Sequence, residues 1–141
     1  MATTRFELVT PTRTLYSGEA EMIVCRTVDG EIAFLANHMP YIGALDPGLV
    51  RIVGPEQGDA TGSDIRLAVQ GGFVEVSDNQ VIMLADVAEL GNEIDVQAAR
   101  ADEAEAQQRL SSAGAEGDAA ADKALRWSQA RLEAASGAEI H

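Results

Sequence analysis

The chain has 141 residues, 46% of them hydrophobic, enough for one modest domain with an appendage. Its formal net charge of −13 argues against direct nucleic-acid binding, which normally needs a basic face, and disfavours docking on anionic lipid. The opening "MATTRFELVT" has no basic segment leading into an apolar run, and the single Cys25 has no internal disulfide partner, so a soluble cytoplasmic protein is the expectation.

From about Phe6 to Leu90, apolar and polar residues alternate in short bursts separated by "TP", "SG", "DG", "DPG", "QGG" and "SDN", which are turn chemistry. Cys25 lies in one such burst, "AEMIVCRTV", and reads as a buried strand thiol. "SDIRLAVQ" places Ile65, Leu67 and Val69 on one face and Arg66, Ala68 and Gln70 on the other. "GGFVEVSDNQVIML" reads as a hairpin turning at Asp78-Asn79. "QVIMLADVA" is apolar on both faces, as in a strand covered from two sides. These features predict an antiparallel β-sandwich or flattened barrel over residues 1–91.

Beyond Ile94 the period changes to about 3.6, predicting a helical hairpin over residues 92–141. Asp95 is placed to cap a first helix, with Val96, Ala99, Ala106 and Leu110 on a face that Glu103 interrupts. "SSAGAEG" breaks it. Asp118 is placed to cap a second helix, whose stripe is Ala121, Leu125, Ser128, Leu132 and Ala135, and Gly137 is expected to stop it. Alanine favours each helix but leaves little area to bury, which predicts an arm that docks weakly.

Catalytic signals are missing. The sequence contains no phosphate-binding G-x-x-x-x-G-K-[ST], no G-x-G-x-x-G after a strand and no G-x-S-x-G elbow. Its two histidines are His38 and the final residue, His141, too few for His-based metal or triad chemistry, so neither catalytic residues, metal nor cofactor are expected.

In order along the chain come "VTP", "TVDGEIAFLANHMP", the L-x-P-G turn from Leu45 to Gly48, "GGFVEVSDNQV", and Ile94-Asp95 opening a helix. In this order they resemble the epsilon subunit of rotary F-type ATP synthases over almost the whole chain. The resemblance implies about ten strands followed by two helices, in a non-catalytic rotor subunit at the foot of the central stalk. Its implied partners are the gamma subunit and the ring of c subunits, at the cytoplasmic face of the cell membrane and without lipid insertion.

Glu31 to His38 matches the family's ring-facing loop. Glu31 is expected to pair with a basic ring residue, with Ile32 and Phe34 supplying contact area and His38 beside them. In the competing reading Phe34 and Leu35 alternate into the core and His38 is merely hydrogen-bonded in a turn; Leu35 is expected in the core. The gamma surface is expected near Met83 and the hairpin, positions that core burial explains equally well.

The resemblance also implies an arm able to leave the sandwich and obstruct ATP hydrolysis. Lys123, Arg126 and Arg131 would then meet an acidic part of the alpha/beta catalytic head, or simply form a solvated face. Some relatives bind ATP through an [IL]-D-x-x-R-A motif. Here Glu89, Ile94 and Asp95 match, but Ala98 stands at the arginine position. Arg100 lies about 200° away around the helix, and Glu105 and Trp127 replace two further arginines. That set is insufficient for a triphosphate. A nucleotide sensor and a free-standing adaptor are the remaining alternatives.

Overall fold

The computed structural model describes residues 2–54, 64–114 and 117–139. They form ten strands: β1 (Thr4–Val9), β2 (Thr14–Ala20), β3 (Met22–Thr27), β4 (Gly30–Leu35), β5 (Tyr41–Leu45), β6 (Gly48–Val53), β7 (Ile65–Val69), β8 (Gly72–Ser77), β9 (Gln80–Ala85) and β10 (Ala88–Leu90). A 3₁₀ turn at Gly91–Glu93 leads to α1 (Val96–Ser112) and α2 (Ala119–Glu139).

The pairing order is β10-β7-β6-β3-β5-β8-β9-β1-β2, with β4 on β3. Strand β3 is where the sheet folds into layers, because it pairs with β4 along its length, with β6 at Met22–Val24 and with β5 at Thr27. The antiparallel expectation holds for every pairing among the described residues except β1 with β9, which run parallel.

Side-chain alternation drives the closure. Phe6, Leu8, Ile23, Phe34, Ile52, Leu67, Met83 and the valines at 50, 69, 74, 76 and 81 fill one interior. Removing that apolar surface from water is the main force holding the sandwich closed. At the tip of the β8–β9 hairpin, Asp78 (φ 51°) and Asn79 (φ 57°) both adopt the left-handed region, the geometry of a two-residue turn that matches strand twist. Gly72 (φ 126°) lies where any Cβ would strike the Leu84 carbonyl oxygen, so β8 and β9 close only with glycine there.

Helix α2 covers the outer face of β6 and β7. Ala68, which points away from the main core, is fully buried because Ala130 and Ala134 of α2 lie on it, with Leu49, Ile94 and Trp127 around them. Gly91 permits that approach; a Cβ there would sit 2.5 Å from the Ala134 carbonyl oxygen. Helix α1 packs on α2. Of its expected face, Ala99 and Ala106 are buried, while Val96, Glu103 and Leu110 are half-buried.

Both expected caps form. Asp95 Oδ1 accepts from the Ala98 amide at 3.0 Å and Asp118 Oδ1 from the Ala121 amide at 2.9 Å. Arg109 also donates to Asp118 at 3.2 Å, clipping the end of α1 to the start of α2. One helix expectation needs correction. Helix α2 runs through Gly137 to Glu139, since glycine without a left-handed φ merely weakens a helix. On α2, Ala121, Ser128 and Ala135 are buried, whereas Leu125 and Leu132 remain half-buried. His141 lies outside the described residues.

Asp64 receives hydrogen bonds from Arg51 (2.7 Å) and Arg66 (3.3 Å), which face each other across β6 and β7. Burial works to raise its pKa, but the two guanidiniums together hold it below the ordinary carboxylate value. A lowered folded-state pKa adds stability above the unfolded value, and that contribution disappears as pH falls through the folded one. The stability gap between wild type and Asp64→Asn is therefore expected to narrow below about pH 4, as read by denaturant titration at stepped pH.

Candidate functional site

Three surfaces on this frame concern partners. The first is the sheet face turned away from the helices. Register aligns Ala44, Phe73, Leu84 and Val9 in one row across β5, β8, β9 and β1, with Ile42, Glu75, Ile82 and Glu7 in the next. Ile42 is 71% exposed, Phe73 60% and Leu84 56%, and no element of the described chain covers them. Strand β9 is thus not covered from two sides within this chain. Met83, whose position the sequence left open between the neighbourhood of the gamma surface and the core, is fully buried in the core; its neighbour Leu84 is the exposed residue.

The second surface is the stretch from Glu31 to His38, which is not one loop. Gly30–Leu35 is strand β4, and only residues 36–40 form the connection. Alternation sends Glu31, Ala33 and Leu35 outward, while Ile32 is half-buried and Phe34 fully buried. Phe34 therefore cannot supply contact area, and Leu35, expected in the core, is 57% exposed. The phase is set by pairing: Phe34 faces the same side as Ile23, a core residue.

Glu31 lies opposite Arg26, near the β3–β4 turn, whereas His38 lies past the other end of β4. At about 3.4 Å per residue the strand separates them by most of its length. The His38 ring meets Phe34 edge-on at 5.0 Å, and its Nδ1–H donates to the Met39 carbonyl at 2.7 Å. Leu35 and Met39 (72% exposed) flank it.

The third surface is the seam holding the arm. Arg126 donates to Asp46 at 2.5 Å and to Asp122 at 3.2 Å. Its hydrogen bond to Asp46 raises its pKa further. Arg131, 11% exposed in its side chain, donates to Glu89 at 2.6 Å and Asp102 at 3.4 Å and lies over the Trp127 ring. Of the three cations singled out from sequence, only Lys123 projects into solvent; the other two latch the arm to the sandwich. Their sequence spacing gave no sign of this, because Asp46 and Glu89 lie 80 and 42 residues away.

Around the nucleotide-motif positions, Glu89 is engaged by Arg131 and Asp95 caps α1. A cleft between the helices, about 130 Å³, is lined by Asp102, Glu105, Ala106, Arg109, Ala124 and Trp127. Its two carboxylates face one guanidinium, a poor setting for phosphate. Among the described residues no cluster of three metal-ligating side chains exists, and no helix is long and apolar enough to cross a membrane. The Cys25 thiol is pushed up to about 12 by burial and then by the Glu31 carboxylate. Its reaction with a thiol reagent is expected to be on the order of 100-fold or more slower in the folded chain than after denaturation.

The sequence model described as the ATP synthase delta/epsilon chain β-sandwich domain matches residues 3–91. The chain belongs to that family. A Desulforamulus reducens ATP synthase epsilon chain is 39% identical over 134 residues, spanning 94% of this chain and 97% of the relative. The Brevibacillus brevis ATP synthase epsilon chain is 44% identical over 112 residues, 79% of this chain and 81% of that one. In fold, the chain is similar to one in the Euglena gracilis mitochondrial ATP synthase, described as OSCP, F1 and c-ring, with a TM-score of 0.76 at 24% identity, covering 96% of this chain and 82% of that one. The expected ten-strand sandwich followed by two helices is thus the delta/epsilon-family fold, carried here with both helices of the arm docked.

Proposed function

We propose that this chain is the non-catalytic central-stalk subunit of a proton-translocating ATP synthase, passing rotation of the c ring through gamma to the catalytic head. It would act as a peripheral component on the cytoplasmic face of the cell membrane, through protein contacts and without inserting into lipid. The observation that carries this reading is the uncovered apolar face of Ile42, Phe73 and Leu84 on a family member whose opposite face is occupied by its own helices. Patches of this kind on soluble proteins mark protein interfaces. We assign the face to gamma. Co-purification tests it: the chain should recover its matching gamma subunit at about equal stoichiometry, and failure to do so would return the free-standing adaptor reading.

For the ring, Glu31 is the exposed member of the set read from sequence, Ile32 and His38 are half-buried and Phe34 is withdrawn; to that set we add the 36–39 loop, which carries exposed Asn37 and Met39. Glu31→Arg is expected to weaken coupled ATP synthesis in the assembled enzyme; unchanged synthesis would remove Glu31 from the ring contact. Phe34→Ala is unsuitable as a probe, because it would report core loss of about 3–5 kcal/mol instead.

The arm is proposed as a brake on hydrolysis. With the arm docked, Arg126 and Arg131 are neutralised by Asp46, Glu89 and Asp102, so contact with an acidic part of the alpha/beta head requires exchanging these partners. Deleting residues from 112 onward is expected to raise ATPase activity of the assembled head. No ATP site of the family's arginine-dependent kind is proposed. Addition of millimolar ATP is accordingly expected to leave the melting temperature of the isolated chain unchanged.

A further inference from the structure

Residue Asn79, at the tip of the β8–β9 hairpin, binds more than its own turn. Its side-chain Oδ1 accepts from the Asn37 amide at 2.7 Å, 42 residues away, and its Nδ2 donates to the Thr3 carbonyl at 3.0 Å. Its main-chain carbonyl accepts from Thr4 Oγ1 at 2.8 Å and from the Arg5 amide at 3.3 Å. One residue thus joins the first strand, the hairpin and the β4–β5 connection. Asn37 is itself left-handed (φ 63°), a conformation uncommon for a side-chain-bearing residue and in need of outside support. Among the described residues, the other hydrogen bonds that close this connection are from the His38 amide to the Leu35 carbonyl at 3.2 Å and from the His38 ring to the Met39 carbonyl at 2.7 Å.

We infer that Asn79 is the positioning residue for the 36–39 loop, holding His38 and Met39 in the arrangement that a partner meets. This rests on the proposal that the loop faces the c ring. The physical logic is preorganisation: a loop already held in its bound shape loses less entropy on docking. The same hairpin carries Phe73 and Leu84, so the loop is anchored to the element assigned to gamma.

Two substitutions separate the side-chain bonds from the turn. Glycine tolerates the left-handed φ but removes both side-chain bonds. Aspartate keeps an acceptor for the Asn37 amide and loses the donor to Thr3. In the full chain, Asn79→Gly is expected to speed Asn37 amide exchange about 10-fold and to weaken binding of the chain–gamma complex to detergent-solubilised c ring about 10-fold. Binding to gamma should stay within about twofold. Asn79→Asp should restore both Asn37 protection and ring binding.

Unchanged Asn37 exchange in Asn79→Gly overturns the inference on the free chain, without reference to any partner. Faster exchange with undiminished ring binding also overturns it. So does failure of Asn79→Asp to rescue. A wild-type chain that binds gamma but not the ring defeats the ring assignment and this role together, while leaving the gamma assignment standing.

Discussion

Phe73→Ser combined with Leu84→Ser is expected to abolish capture of gamma, while the melting temperature changes by only a few degrees. The two side chains are direct cross-strand partners, both more than half exposed, at the centre of the uncovered row. If each contributes roughly 1.5–3 kcal/mol when buried by a partner, affinity falls on the order of 100-fold or more. Because neither side chain lies in the core, the fold itself loses little. Met83→Ser provides the contrast. It sits next to Leu84 but faces inward, where a polar group in a fully buried site should cost about 3 kcal/mol and lower stability before binding is measured. Retained gamma capture by the double serine variant would place the interface elsewhere.

Gly91→Ala is expected to push α2 off the sandwich. The added methyl group would meet the Ala134 carbonyl at 2.5 Å and the Arg66 carbonyl at 3.0 Å, both main-chain atoms that cannot rotate away. Overpacking of this kind costs about 1–3 kcal/mol. Against it stand a small apolar contact of Ala68, Ala130 and Ala134 and the partly exposed bridges of Arg126 and Arg131. The exposed Arg126 pair contributes little, typically below 1 kcal/mol, and the more buried Arg131 pair loses much of its Coulombic gain to desolvation, so the steric cost should outweigh the docking. Trp127 is the sole tryptophan and packs in this seam, so its emission should shift to the red in the variant while the sandwich stays folded. In the assembled enzyme, the brake proposal predicts slower ATP hydrolysis for Gly91→Ala. Trp127 emission identical to wild type would mean that the seam yields without releasing the arm.

Much of this architecture was legible in local sequence. Period-two alternation located the strands, Asp78-Asn79 marked the hairpin, and Asp95 and Asp118 marked the helix starts, because each signal depends on neighbours within a few residues. What escaped were facts set by distant pairing. The phase of β4, which buries Phe34 and exposes Leu35, is fixed by its register on β3. Ala68 reads as a solvent position until α2 is laid over it. The apolar outer face of β9 was visible as a pattern, but the pattern does not say whether the cover comes from the same chain or another. The duties of Arg126, Arg131 and Asn79 follow from partners 29 to 80 residues away, a separation no spacing rule encodes.

The parallel seam between β1 and β9 has a bearing on how the chain is made. Residues 5–9 emerge from the ribosome before the rest of the sandwich, yet one edge of their strand is satisfied only by residues 80–84. Until those arrive, the leading hairpin has an open edge and Phe6 and Leu8 lack Val81 and Met83 as neighbours. Closure is therefore a late, long-range event during synthesis, and the nascent chain is most in need of chaperone protection just before its arm appears.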